Sequence, residues 1–274
     1  MGVLEEAALR QAQGQAFALA TVVRTVSVTA AKAGAKALIT PDGSIEEGWI
    51  GGGCARAAVI KAARQSMLDG RSRLVSIAPK DALAELGAAA GEERGGVFYA
   101  RNSCPSQGTM DIFVEPVLPR PRLLVFGASP VAVALARLAP SMGFDVTVAA
   151  APEEHQRFAM DVGRLAGLSP PKDIGEGAYV VVSTQGAGDR AALKSAAAMN
   201  ARYRAFVGSR RKADTLKREL ASEGISDQAL AAIKAPAGLD IAAISADEIA
   251  LSIFAEMVAV RRRPERPSIE DAID

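Results

Sequence analysis

The sequence predicts an α/β protein: a C-terminal Rossmann-like parallel sheet with helices on both faces, following a smaller N-terminal α+β domain. Three observations carry this. From Leu123 onward, short β-branched runs alternate with helical patterns, as parallel strands joined by crossover helices do. Upstream, strand-like runs surround a single long helical pattern. Composition changes at Leu118-Pro119-Arg120-Pro121-Arg122, between two strand patterns, so the predicted domains are 1–118 and 119–274.

In the first domain, strands are predicted over 17–28, 35–40 and 45–50, with Pro41-Asp42-Gly43 turning the hairpin between the last two. The run 55–67 repeats Ala58, Val59, Ala62, Ala63 and Met67 at helical spacing, and Asp69-Gly70 stops it. Strands over 73–77 and 110–117 would complete a small sheet, with 83–96 as a helix-plus-loop excursion. The second domain reads as strands over 123–126, 145–148, 178–183 and 205–208, helices over 131–142, 191–199 and 212–223, and a final amphipathic helix over 247–261. Arg261-Arg262-Arg263-Pro264 then marks a polar tail.

With 274 residues, 49% hydrophobic and 23% charged, the chain is in the range of a globular protein with a sizeable core. A net charge of +1 supplies no basic field for nucleic acid, and 4% aromatic residues supply few stacking platforms. No apolar run is long enough to span a bilayer, and the acidic, polar stretch 1–15 is not a secretory leader, so the expected location is the cytoplasm. Glu6 stands where N-myristoylation wants Ser or Thr. Two cysteines fit a reducing compartment, and a single histidine, His155, rules out multi-histidine metal sites.

The segment Gly51-Gly52-Gly53-Cys54 delivers one of the two cysteines to a predicted helix start. There the helix dipole and open N–H groups stabilise a thiolate and can also cradle a phosphate. The alternative is a glycine turn before a small buried cysteine. Cys104 lies in Asn102-Ser103-Cys104-Pro105-Ser106-Gln107-Gly108, before the closing strand of the same domain, so two thiols bracketing one sheet could meet at one site. Cys54 and Cys104 are therefore the candidate catalytic residues.

At the first strand end of the second domain, Gly127-Ala128-Ser129-Pro130-Val131-Ala132 is a partial dinucleotide fingerprint. Ser129 occupies the second glycine position, and the next strand ends in Ala149-Ala150-Ala151 instead of an acid for a ribose, so NAD(P) is not expected. Other strand ends are better furnished. Ser183-Thr184-Gln185-Gly186 opens one helix, and Gly208-Ser209-Arg210-Arg211-Lys212 opens another with the means to clamp a phosphate or pterin edge; a solvated basic face is the plainer reading of those cations. Asp240, in Ala235-Pro236-Ala237-Gly238-Leu239-Asp240-Ile241, follows a fixed turn and points to a cleft or belongs to an ordinary loop.

Five blocks in order resemble the XdhC/CoxI family of maturation factors for xanthine dehydrogenase, carbon monoxide dehydrogenase and related molybdenum hydroxylases. They are Ala20-Thr21-Val22-Val23-Arg24-Thr25 followed by Gly48 to Cys54; Gly108 to Pro116; Val207 to Lys212; Ala235 to Ile241; and Asp247 to Glu256. The resemblance implies a chaperone-like insertion factor, not a classical enzyme. It would bind molybdenum cofactor, as the mononucleotide or dinucleotide form of molybdopterin, in the groove between the domains. It would hold the cofactor while a cysteine desulfurase helps exchange its terminal oxygen for sulfur, and then deliver it to an apo molybdenum hydroxylase. Cys54 would contact molybdenum or handle sulfur; Gly51, Gly52 and Gly53 would give backbone access; and Ser209, Arg210 and Arg211 would hold phosphate or pterin. Handover needs docking, so a homodimer is expected, with 249–260 serving either the core or that contact. Ser129, the alanines after Val148, and Gln185 in place of a histidine seen in some members mark a divergent branch. The rival classes are an NAD(P)-dependent oxidoreductase and a non-catalytic ligand-binding scaffold.

Overall fold

The computed structural model describes residues 2–104, 107–169 and 177–262, with Cys54 described by its backbone; Pro105, Ser106 and the tail from Arg263 lie outside the described residues. The chain divides into two compact units, Met1–Pro119 and Arg120–Asp274.

The elements of unit 1 are α1 (Val3–Ala12), β1 (Phe17–Val26), β2 (Lys36–Ile39), β3 (Ile45–Gly48), α2 (Gly53–Asp69), β4 (Arg73–Ala78), α3 (Lys80–Glu85), β5 (Glu93–Arg94), β6 (Val97–Arg101) and β7 (Thr109–Val117). The strands form one sheet in the order β3-β2-β1-β7-β4-β6-β5, antiparallel at every pairing except β4 with β6. Alternation explains the layering. Ala18, Ala20 and Val22 of β1 and Ile112 and Val114 of β7 point to one face, where α2 lays Ala55, Val59, Ala62 and Ala63 over them. Gly70 ends α2 in the left-handed region at φ 74°, its N–H bonded to the Ser66 carbonyl at 2.8 Å. In the hairpin turn, the Thr40 and Ser44 hydroxyls donate to the Asp42 carboxylate and hold its pKa down to about 2. The sheet is larger than the sequence predicts: α1, β5 and β6 were not expected, and β6 falls directly after the predicted loop excursion.

Unit 2 contains β8 (Arg122–Phe126), α4 (Pro130–Leu138), β9 (Asp145–Ala150), a 3-10 turn (Pro152–Arg157), β10 (Gly163–Ala166), β11 (Ala178–Val182), α5 (Asp189–Ala198), β12 (Ala201–Phe206), α6 (Arg210–Ser222), α7 (Asp227–Ala231) and α8 (Ala246–Arg262). Its five strands are all parallel in the order β10-β9-β8-β11-β12. Helices cover both faces. Leu123, Val125, Val146, Val148 and Val181 face α4 and α8, where Phe144 meets Tyr179 edge-on at 5.1 Å and Phe254 at 5.6 Å. Leu124, Phe126, Val180, Val182 and Phe206 face α5, α6 and α7. The order reverses between β8 and β11, and in open parallel sheets the crevice at such a reversal binds ligands.

At this reversal the two strand ends lie very close. Gly127 has φ 101°, and a Cβ there would stand 2.6 Å from the Ser183 carbonyl oxygen and 2.7 Å from the Thr184 Cα. The neighbouring atoms are backbone, so they cannot swing aside. Gly127→Ala is expected to destabilise the protein by about 1–3 kcal/mol. Urea unfolding checks this: the midpoint falls with the slope unchanged, and an unmoved midpoint contradicts the close approach.

Candidate functional site

The glycine run of unit 1 makes a sharp entry into α2. Gly51 is buried with φ 110°, Gly52 is the extended N-cap, and Gly53 starts the helix at φ 36°. No side chain caps this end. A helix of 17 residues therefore presents first-turn amides whose partial positive charge favours an anion or a thiolate. The Cys54 backbone lies in that first turn.

A cavity of about 300 Å³ opens beside this turn, lined by Gly52, Gly53 and Ala55, by Asn102, Ser103 and Cys104, and also by Thr29, Ala30, Ile77 and Met110. Cys104 is exposed. Its loop is fastened by Asn102, whose Oδ1 accepts the Cys104 N–H at 2.9 Å and whose Nδ2 donates to the Gly108 carbonyl at 2.6 Å. The Asn102 N–H in turn donates to the Ala78 carbonyl at 2.8 Å, tying the loop to the end of β4. Cys104 and two of the three turn glycines thus line one cavity, and Gly51 packs just beneath it, where a Cβ would meet Met110 at 3.3 Å.

The remaining candidates are in unit 2, at the carboxyl ends of β8, β11 and β12. Ser129 caps α4: its Oγ accepts the Ala132 N–H at 3.2 Å and is hydrogen-bonded to the Ser183 Oγ at 2.7 Å, and both serines are buried. The helix start that would receive a pyrophosphate in a dinucleotide fold is therefore occupied by its own serine. Ser129, Ser183 and exposed Gln185, at φ 51°, line a cavity of about 220 Å³ with Val207 and Ile249. Thr184 does not face it; its hydroxyl donates to buried Asp189.

Val207 and Ile249 also border a larger cavity, of about 570 Å³, with Gly208, Arg210, Lys234 and Asp240. Ser209 caps α6 through the Lys212 N–H at 3.3 Å, and Arg211 is exposed beside it. Asp240 accepts the Ala242 N–H at 3.3 Å and shapes its own loop. Cavities of this size are in the range of small-molecule sites.

Two supporting clusters were not predicted. Asp189 accepts from Thr184, from the Gly186 N–H at 3.0 Å and from the Lys212 ammonium, joining the starts of α5 and α6. Burial pushes its pKa up, but the lysine and the two donors outweigh this and hold it below the ordinary value. Glu256, buried on α8, accepts the Tyr203 hydroxyl at 2.6 Å and the Gly238 N–H at 3.0 Å and pairs with Lys234, fastening the loop that lines the larger cavity. Burial pushes the Tyr203 phenol well above its usual range. The signal for this cluster was an acid at helical spacing on an apolar face. His155 holds the Leu165 carbonyl of β10 at 3.1 Å, a structural contact. Among the described residues, no three His, Cys, Asp or Glu side chains form a metal-holding group, and no helix is long and apolar enough to cross a membrane.

Comparison with known proteins is specific. The family model described as the XdhC Rossmann domain matches residues 123–257, and the model described as the XdhC and CoxI family matches residues 10–78. An uncharacterized Escherichia coli protein, YqeB, is 30% identical over 269 residues, covering 95% of this chain and 46% of its own. A Bacillus subtilis protein described as a probable xanthine dehydrogenase component is 29% identical over 163 residues, covering 57% of this chain and 47% of its own. The chain spans about half the length of these curated relatives. A solved structure described as a xanthine dehydrogenase from Bacillus halodurans aligns over 98% of both chains at 19% identity with a TM-score of 0.47.

The Asp189 cluster gives a pH prediction. Its folded pKa lies below the unfolded value of about 3.9, so its stabilisation is present above about pH 4 and is lost as the pH falls through the folded value. Asp189→Asn is expected to lower the unfolding free energy at neutral pH, with the gap to wild type closing below about pH 4. Denaturant titrations across pH check this, and parallel profiles contradict it.

Proposed function

This chain belongs to the XdhC and CoxI family, and from that membership we propose that it is a maturation factor for a molybdenum hydroxylase of the xanthine dehydrogenase type. It binds molybdenum cofactor, supports replacement of a terminal oxygen by sulfur, and delivers the product to an apo-enzyme. The observation that carries this reading is the uncapped α2 amino end, with the Cys54 backbone in its first turn beside a cavity of about 300 Å³.

The residues fit such a group in chemical kind. A dithiolene-bound metal takes soft sulfur donors, which Cys54 and Cys104 supply, and a pterin phosphate takes helix amino ends and guanidinium groups. When bound, the cofactor supplies a metal centre whose terminal ligand is exchanged. In unit 1, the α2 amides stabilise negative charge near Cys54, while Gly52 and Gly53 leave the backbone open to approach. In unit 2, Arg210 borders the 570 Å³ cavity, with the loop at 234–240 as its wall, and brings to it a guanidinium of the kind that holds phosphate. The partners on this reading are the client hydroxylase, a cysteine desulfurase and a second copy of the chain. The cytoplasm is the matching location.

Pterin retention tests the proposal. The purified protein is incubated with molybdenum cofactor, freed of unbound material and oxidised, and the fluorescent pterin is quantified. Wild type is expected to retain it near stoichiometry, Cys54→Ala to lose most of it, and Arg210→Ala to bind about 10- to 100-fold more weakly, the range for a charge-assisted hydrogen bond of about 1.5–3 kcal/mol. No retention by the wild type overturns the reading and leaves a non-catalytic scaffold.

A further inference from the structure

Building on the sulfur-handling role proposed for Cys54, we infer that Cys104 is the resolving thiol for a persulfide carried on Cys54. The sequence contains only these two cysteines, and the α2 turn that carries the Cys54 backbone borders the same cavity as Cys104. Gly53 and Ala55, the residues on either side of Cys54, line the same cavity of about 300 Å³ as Cys104. The Cys104 loop is held in place: its N–H donates to Asn102 at 2.9 Å, and its carbonyl accepts the Gln107 N–H at 3.1 Å.

The rest of the described wall, Thr29, Ala30, Gly52, Gly53, Ala55, Ile77, Asn102, Ser103 and Met110, carries no carboxylate, imidazole, ammonium or guanidinium group. Those residues therefore bring no acid or base to the cavity, and Cys104 adds its thiol, a soft nucleophile, to the same wall. Its exposure also leaves it open to reduction afterwards.

The chemistry balances without an outside oxidant. The Cys54 thiolate attacks the terminal sulfur of a donor persulfide; that sulfur–sulfur bond breaks, the donor leaves as a thiolate, and Cys54 carries S–SH. The Cys104 thiolate then attacks the Cys54 Sγ. A Cys54–Cys104 disulfide forms, the bond to the terminal sulfur breaks, and hydrosulfide leaves. The terminal sulfur gains two electrons, and the two cysteines together lose two. A reduced dithiol resets the pair by exchange. Hydrosulfide is thus released beside the α2 amino end, whose partial positive charge favours an anion.

The test uses the full chain, free of cofactor, with cysteine persulfide as the donor, and follows sulfide release and intact mass after quenching. Wild type is expected to release sulfide stoichiometrically and to end with a disulfide that peptide mapping assigns to Cys54 and Cys104. Cys104→Ser and Cys104→Ala are expected to retain one added sulfur on Cys54 and to release sulfide at least tenfold more slowly. Cys54→Ser is expected to take up none. If the Cys104 variants carry the sulfur yet release sulfide at the wild-type rate, the resolving role is overturned while carriage on Cys54 stands. If wild-type protein releases no sulfide and forms no disulfide, and the Cys104 variants take up no sulfur, the sulfur-handling reading falls and this inference falls with it. Neither result depends on cofactor binding, and circular dichroism of each variant separates loss of fold from loss of chemistry.

Discussion

The backbone turn at Gly51 and Gly53 is the constraint on which unit 1 depends. Both have positive φ, which strains any larger residue, and a Cβ at Gly51 would stand 3.3 Å from Ala55 and from Met110. This turn aims α2 so that one stripe, Ala55, Val59, Ala62 and Ala63, closes the core over β1 and β7, while the amino end of the same helix opens into a cavity. One helix thus closes the core along its length and borders a cavity at its tip. A serine or aspartate at Gly52 would cap the first turn, as Ser129 caps α4, and would satisfy the amides that make the end useful.

Unit 2 uses the same parts in a different way. Its parallel sheet reverses order between β8 and β11, but the expected dinucleotide position is filled by hydrogen-bonded Ser129 and Ser183. The larger opening lies at the end of β12, beneath a loop whose Gly238 could not carry a Cβ because Ser252 lies 2.2 Å from where it would sit. Glu256 and Lys234 fix that loop, and Asp189 with Lys212 fixes the adjoining helix starts.

Where local pattern and tertiary demand agreed, the sequence could be read. The α2 stripe and its Gly70 stop, the alternation of β1 and β7, and the β-branched β8 and β11 all carry their own signals. Where the fold overrode local preference, it could not. β10, Gly163–Ala166, has little strand propensity and exists because Gly163 lets it lie against Thr147 of β9, where a Cβ would stand 2.7 Å from the hydroxyl. α1 reads only as an acidic, polar stretch and lies along β1, β2 and β3 without a buried residue, and β6 is recruited by parallel pairing with β4. In the site, the glycine–cysteine turn was legible as a helix start because its chemistry is local. Its meeting with Cys104 depends on long-range pairing of β4, β6 and β7, and the Asp189–Lys212 pair on packing between two crossover helices.

The central claim is that the cofactor is handled at the amino end of α2. Amide hydrogen exchange, measured on the chain with and without molybdenum cofactor, tests it most directly, because it reports on the backbone groups that would meet the ligand. The account predicts slowed exchange at Gly52 to Ala55 and at Asn102 to Cys104 on loading. Unchanged exchange at both segments in a sample that has retained pterin would contradict it.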